Sequence, residues 1–167
     1  GISERFIAAF VARTRSLKVG NPLDPTVEVG PMAFKAHWEK VLDHIARAKN
    51  DGALLLCGGE APTDLGSGYF VTPTVFQVHN NQLPLCHEEV FGPVVSIQIF
   101  DEDEEAFALA NDSRFGLVGY CWTNDLTRAQ LFQQRIEAGT LWINTPLARD
   151  LRAPFGGFKE SGSGRDG

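Results

Sequence analysis

Apolar positions along the chain alternate between helical and extended periods. Phe6, Phe10, Val11 and Leu17 share a helical stripe, and Ser3 is placed to cap it. The run Gly20-Asn21-Pro22-Leu23-Asp24-Pro25 breaks that helix. A second stripe of Phe34, Trp38, Val41, Leu42 and Ile45 predicts another helix, which Gly52 can end. Residues 53–57 read as a short buried strand and 58–68 as a polar loop. Residues 69–78 are β-rich, and Pro73 points to an edge or irregular strand. Beyond Pro93 the pattern predicts a strand at 94–100, a helix from 101 to about 111 and a strand at 117–123. A helix at 125–138 closed by Gly139 and a strand at 140–144 follow. This order predicts a parallel sheet with right-handed crossovers. The expected class is α/β, in three α/β/α layers with a mostly parallel sheet. Residues 145–167 read as loop.

Composition narrows the functional classes. The chain's 167 residues suffice for one domain with a core. A net charge of −6 argues against nucleic acid and anionic membrane surfaces as partners. No apolar run approaches the roughly 20 residues of a membrane span. Cys57, Cys86 and Cys121 are odd in number and lack CxxC spacing, so neither a disulfide framework nor a zinc site is expected. Free thiols suit a reducing compartment, and the expected location is the cytoplasm. The first residues read as helix and not as a signal peptide. Without a leading Met, position 1 is not expected to be a natural start.

Several motifs invite chemistry. Gly162-Ser163-Gly164-Arg165-Asp166-Gly167 matches GxGxxG, but no strand precedes it, so a dinucleotide fingerprint is not expected there. Phe100-Asp101-Glu102-Asp103 opens the first strand–helix turn without glycine and with negative charge, which cannot cradle a pyrophosphate. The acidic residues 101–105 suit a helix's positive end and imply no metal. Cys86, His87 and Glu88 could be read as nucleophile, base and carboxylate, yet adjacent residues rarely converge on one atom. In Glu88-Glu89-Val90-Phe91-Gly92-Pro93, Gly92 permits an unusual φ and Pro93 favours extended backbone before the next strand. Such a loop can present a carboxylate to two sugar hydroxyls and an aromatic to a flat ring, or can simply be a solvated turn.

Several spaced motifs stand together in one order. They are Leu17-Lys18-Val19-Gly20-Asn21-Pro22, Gly30-Pro31, Tyr69-Phe70-Val71-Thr72-Pro73-Thr74-Val75, the Glu88–Pro93 motif, Gly139-Thr140-Leu141-Trp142-Ile143-Asn144, and Pro154 through Arg165. With them the chain resembles the carboxy-terminal third of the NAD(P)-dependent aldehyde dehydrogenases. The resemblance implies that Glu89 holds the nicotinamide ribose and that Phe91 packs beside the nicotinamide, with NAD or NADP as cofactor. It implies an aldehyde pocket lined by Thr145, Leu147, Arg149, Arg152 and Phe155. Arg149 and Arg152 there suggest an anionic substrate, or else pair with Asp150, Glu160 or backbone carbonyls. This segment resembles the dehydrogenases of hydroxymuconic semialdehydes.

The family's NAD-binding domain, general-base Glu, Gly-Gln-x-Cys nucleophile loop and oligomerisation strand have no counterpart in residues 1–167. The chain is therefore expected to be a single partial domain without a catalytic residue of its own, inactive alone. The resemblance implies that the parent enzyme, a homodimer or homotetramer, attacks the aldehyde with an upstream thiolate and hydrolyses the resulting thioester. The competing readings are a non-catalytic α/β interaction module and a hydrolase using Cys86.

Overall fold

The computed structural model describes residues 1–148 and 150–166. The fold is α/β with mixed and parallel sheets. It divides into two compact units, one through Ile99 and one from Phe100 onward.

The first unit contains α1 (Ser3–Arg15), α2 (Lys35–Asn50), β1 (Leu54–Cys57), β2 (Thr74–Val78), α3 (Pro84–His87) and β3 (Val94–Gln98). Its sheet has the order β1-β2-β3, with β1 antiparallel to β2 and β2 parallel to β3. The 3.6-residue period of α2 brings Val41, Ile45 and Ala48 onto one buried stripe. They pack with Val71, Phe76, Val78 and Val90. Each fully buried Val or Ile contributes roughly 1.5–3 kcal/mol. Trp38 joins this face and donates its indole N–H to the Phe70 carbonyl at 2.8 Å.

Two expectations are corrected here. Ile2, not Ser3, occupies the α1 N-cap, and no side chain caps that end. Pro73 does not mark an edge strand. It sits one residue before β2, the middle strand, where a missing N–H removes no ladder bond. The α1 stripe buries none of its residues, although Phe6 and Phe10 stack with ring centroids 5.7 Å apart.

The second unit contains α4 (Asp103–Asn111), β4 (Phe115–Gly116), β5 (Val118–Cys121), α5 (Leu126–Arg135), β6 (Thr140–Ile143) and β7 (Phe158–Lys159). β5 and β6 pair in parallel across α5, as a strand–helix–strand repeat should. Asp125 caps α5 by accepting from the Thr127 and Arg128 amides. Asp103 and Glu104 lie in the first turn of α4, as the helix dipole favours. They also reach α5, through Arg128 at 2.7 Å and Arg135 at 2.6 Å.

The tail is not all loop. β7 pairs antiparallel with β4, and Phe155 and Asp166 exchange two backbone hydrogen bonds. Lys159 adopts φ 53° to turn this segment, and its ammonium reaches Glu137 at 2.7 Å and the Asn111 carbonyl at 2.8 Å. Gly139 lies beyond α5, where a Cβ would collide with the Gly156 carbonyl oxygen. Among the described residues no helix is long and apolar enough to cross a membrane.

Candidate functional site

The Glu88–Pro93 loop leaves α3 and enters β3, and its geometry follows from what it packs on. Val90 is buried in the core, which fixes the middle of the loop. Its neighbours Glu89 and Phe91 consequently face solvent, Phe91 at 75% exposure. Phe91, and not Gly92, carries the unusual backbone, at φ 52°. A bulky aromatic in that region is strained by roughly 1–3 kcal/mol. Gly92 serves close approach instead, since a Cβ there would lie 2.9 Å from both Val41 methyl carbons. The Pro93 carbonyl accepts from the Thr74 amide at 2.8 Å, tying the loop's exit to β2.

Charge distinguishes the two glutamates. Glu88 accepts from both terminal nitrogens of Arg47, at 3.3 and 3.4 Å, and lies 3.8 Å from Nδ1 of buried His44. The Arg47 hydrogen bond is the main reason the Glu88 carboxyl lies below its ordinary value. Glu89 is exposed and, among the described residues, has no ion-pair partner. Its carboxylate is free to accept hydrogen bonds from a ligand's vicinal hydroxyls. The loop thus presents an exposed carboxylate and an exposed ring, and it is anchored at both ends.

The Cys86-His87-Glu88 trio does not assemble. Glu88 turns to Arg47 and His44, and the Cys86 thiol points to the Asn80 carbonyl at 3.9 Å. Burial pushes the Cys86 thiol up, away from the thiolate a nucleophile needs. Cys121 is likewise raised, first by burial and then by Asp103.

Within the second unit, a cavity of about 330 Å³ is lined in part by Trp142, Ala148, Asp150, Leu151, Phe155 and Asp166. Among the described residues expected to line an aldehyde pocket, only Phe155 is among its walls. Thr145 is exposed, and Leu147 stands out at 68% exposure with φ 56°. Arg152 turns to its neighbour, with Nε and Nη2 donating to Asp150 at 2.9 and 2.6 Å. Arg149 lies outside the described residues. Trp142, Asp150 and Asp166 are walls that the sequence pattern did not predict. The signal for Trp142 was alternation: in β6 it shares a face with Thr140, which also lines the cavity. Its indole N–H donates to the Ala148 carbonyl at 2.8 Å, folding the 144–148 turn over the strand.

The model of the aldehyde dehydrogenase family matches residues 1–167. The chain belongs to the aldehyde dehydrogenase family. It is similar to the betaine aldehyde dehydrogenase of Mesorhizobium japonicum, at 45% identity over 99% of the chain and 34% of that protein. It superposes on the crystal structure of HpcC from Thermus thermophilus with a TM-score of 0.96 at 41% identity, covering 99% of the chain and 33% of HpcC. A Mycobacterium tuberculosis aldehyde dehydrogenase, solved in complex with NAD+, matches with a TM-score of 0.93 at 40% identity, over 99% of the chain and 34% of its own. The chain thus spans about a third of the length of these family members.

Proposed function

We propose that this chain works as part of a longer enzyme that oxidises an aldehyde to a carboxylate with NAD or NADP. Family membership supports the activity, and the relatives' threefold greater length supports the larger polypeptide. The observation that carries the reading is the Glu89–Phe91 display on an anchored loop. Glu89 would accept hydrogen bonds from the nicotinamide ribose and Phe91 would pack beside the ring, so that the two residues would orient the cofactor. The cofactor, when bound, takes up the hydride from the aldehyde carbon. The nucleophilic thiolate comes from outside residues 1–167, since Cys86 and Cys121 are held in the thiol form and Cys57 is buried. Three unpaired cysteines suit a cytoplasmic enzyme, and a homodimer or homotetramer is the assembly proposed for it.

The aldehyde's far end admits two chemistries. Arg149 and Arg152, with Thr145 and Leu147 nearby in sequence, would select an anionic semialdehyde. Arg152, however, is already engaged by Asp150. Trp142, Phe155 and the acidic Asp166 among the lining residues favour a cationic aldehyde, in keeping with the betaine aldehyde relatives. The test is NADH formation by the full-length protein with betaine aldehyde and with a carboxylate-bearing semialdehyde. A higher kcat/KM for betaine aldehyde is expected. The reverse order restores the anionic reading, and no turnover of any aldehyde refutes the proposed activity.

A further inference from the structure

We propose that α2 is a splint for the nicotinamide-side loop, and that His37 and Arg47 are positioning residues for Glu89 and Phe91. The inference rests on the cofactor role proposed for those two residues. His37, Val41, His44 and Arg47 recur at three- and four-residue intervals, so they share one face of α2. Each of the four meets the loop or its boundary. At one end, His37 Nε2 lies 2.7 Å from the Phe91 carbonyl oxygen. A carbonyl only accepts, so Nε2 carries the hydrogen, and the bond survives both protonation states of the ring. The His37 and Phe91 rings also lie 6.0 Å apart, tilted by 37°. At the other end, Arg47 forks onto Glu88 while buried His44 stands 3.8 Å from the same carboxylate. Between them Val41 closes on Gly92, leaving no room for a Cβ.

The strained residue is the one His37 holds. Phe91 at φ 52° would relax toward negative φ if nothing fixed its carbonyl. Rotation of that peptide would swing the Phe91 ring and loosen Glu89 two residues earlier. Neither His37 nor Arg47 need touch the cofactor. Their effect passes through backbone and Glu88, which leaves aldehyde binding unaffected.

The test uses His37→Ala, His37→Gln, Arg47→Met and Glu89→Gln in the full-length protein. One readout is independent of turnover: hydrogen–deuterium exchange of the amides at 88–92 in the cofactor-free protein. Exchange there should quicken about three- to tenfold in His37→Ala and Arg47→Met, the loss expected for one hydrogen bond. His37→Gln, whose amide can donate to the same carbonyl, should restore it. Single-turnover hydride transfer should slow by a similar factor in the same two variants. The primary isotope effect from a carbonyl-deuterated aldehyde should rise, with aldehyde KM within about twofold of wild type. Unchanged exchange and transfer in both His37→Ala and Arg47→Met, with Glu89→Gln slowed, overturn the splint alone. Unchanged transfer in Glu89→Gln overturns the cofactor reading beneath it.

Discussion

Gly92→Ala places a methyl group where α2 leaves no space. The added Cβ would meet both Val41 methyl carbons at 2.9 Å. Comfortable carbon–carbon contact begins near 3.5 Å, so one partner must move by about 0.6 Å. Val41 is fully buried, with Ile45 and Phe76 in the same cluster, and it cannot retreat without disturbing them. Overpacking of this kind costs about 1–3 kcal/mol. For a chain of this size each kcal/mol lowers Tm by roughly 2–4 °C, so a drop of about 2–12 °C is expected by differential scanning calorimetry. The cause is separable by a double-mutant cycle with Val41→Ala, which removes the clashing methyls. If close approach is the reason for glycine, the Gly92→Ala cost should largely vanish on the Val41→Ala background. A cost that persists in full would mean that the Val41 contact is not what requires glycine at position 92. A Gly92→Ala protein as stable as wild type would refute the packing argument outright.

Other perturbations have expected outcomes of their own. Asp24 is held at about 2 chiefly by the Thr26 hydroxyl and amide and then by Lys18. Its folded value lies below its unfolded one, so its stabilisation is present above about pH 4 and is lost as pH falls toward 2. Protection of the Thr26 amide, relative to an unstructured amide at the same pH, should fall over that window in wild type and should already be low in Asp24→Ala at pH 5. Glu88 is lowered mainly by Arg47, so the same sign applies: loop protection at 88–92, measured against unstructured amides at the same pH, should decrease as pH drops below the ordinary carboxylate range, and Glu88→Gln should flatten the profile. Cys86, raised by burial, should react with iodoacetamide at pH 7 more slowly than a free thiol, and rapid labelling would contradict the burial argument. Asn144 stands at φ 57° and bonds the Thr123 amide and carbonyl through its side chain, at 2.9 and 2.7 Å. Asn144→Ala should cost roughly 2–3 kcal/mol in urea unfolding, from two lost hydrogen bonds and backbone strain.

Much of this molecule is legible in its sequence where the cause is local. The α2 stripe and the alternation of strand and helix after Pro93 set their elements by period alone. The Glu88–Pro93 motif was legible because a rigid loop needs punctuating residues. What was not legible depends on distant partners. Gly92 reads as a residue of unusual φ until Val41, far back in the chain, is seen to press on it. Pro73 reads as an edge marker because sequence does not reveal that the strand begins one residue later, between two neighbours. β7 and the Phe155–Asp166 bridge are too short for any periodicity; β7 forms by pairing with β4, and Phe155 by pairing with Asp166. The pairing of Arg152 with Asp150, two residues away, is the kind of local contact that sequence leaves open beside substrate binding.

The central claim is that Glu89 positions the nicotinamide for hydride transfer. It is tested most directly by single-turnover NADH formation in the full-length protein carrying Glu89→Gln. A charged hydrogen bond is worth about 1.5–3 kcal/mol, which corresponds to a loss of roughly ten- to a hundredfold in rate. The account predicts that loss with aldehyde affinity nearly unchanged. A wild-type transfer rate in Glu89→Gln would contradict it.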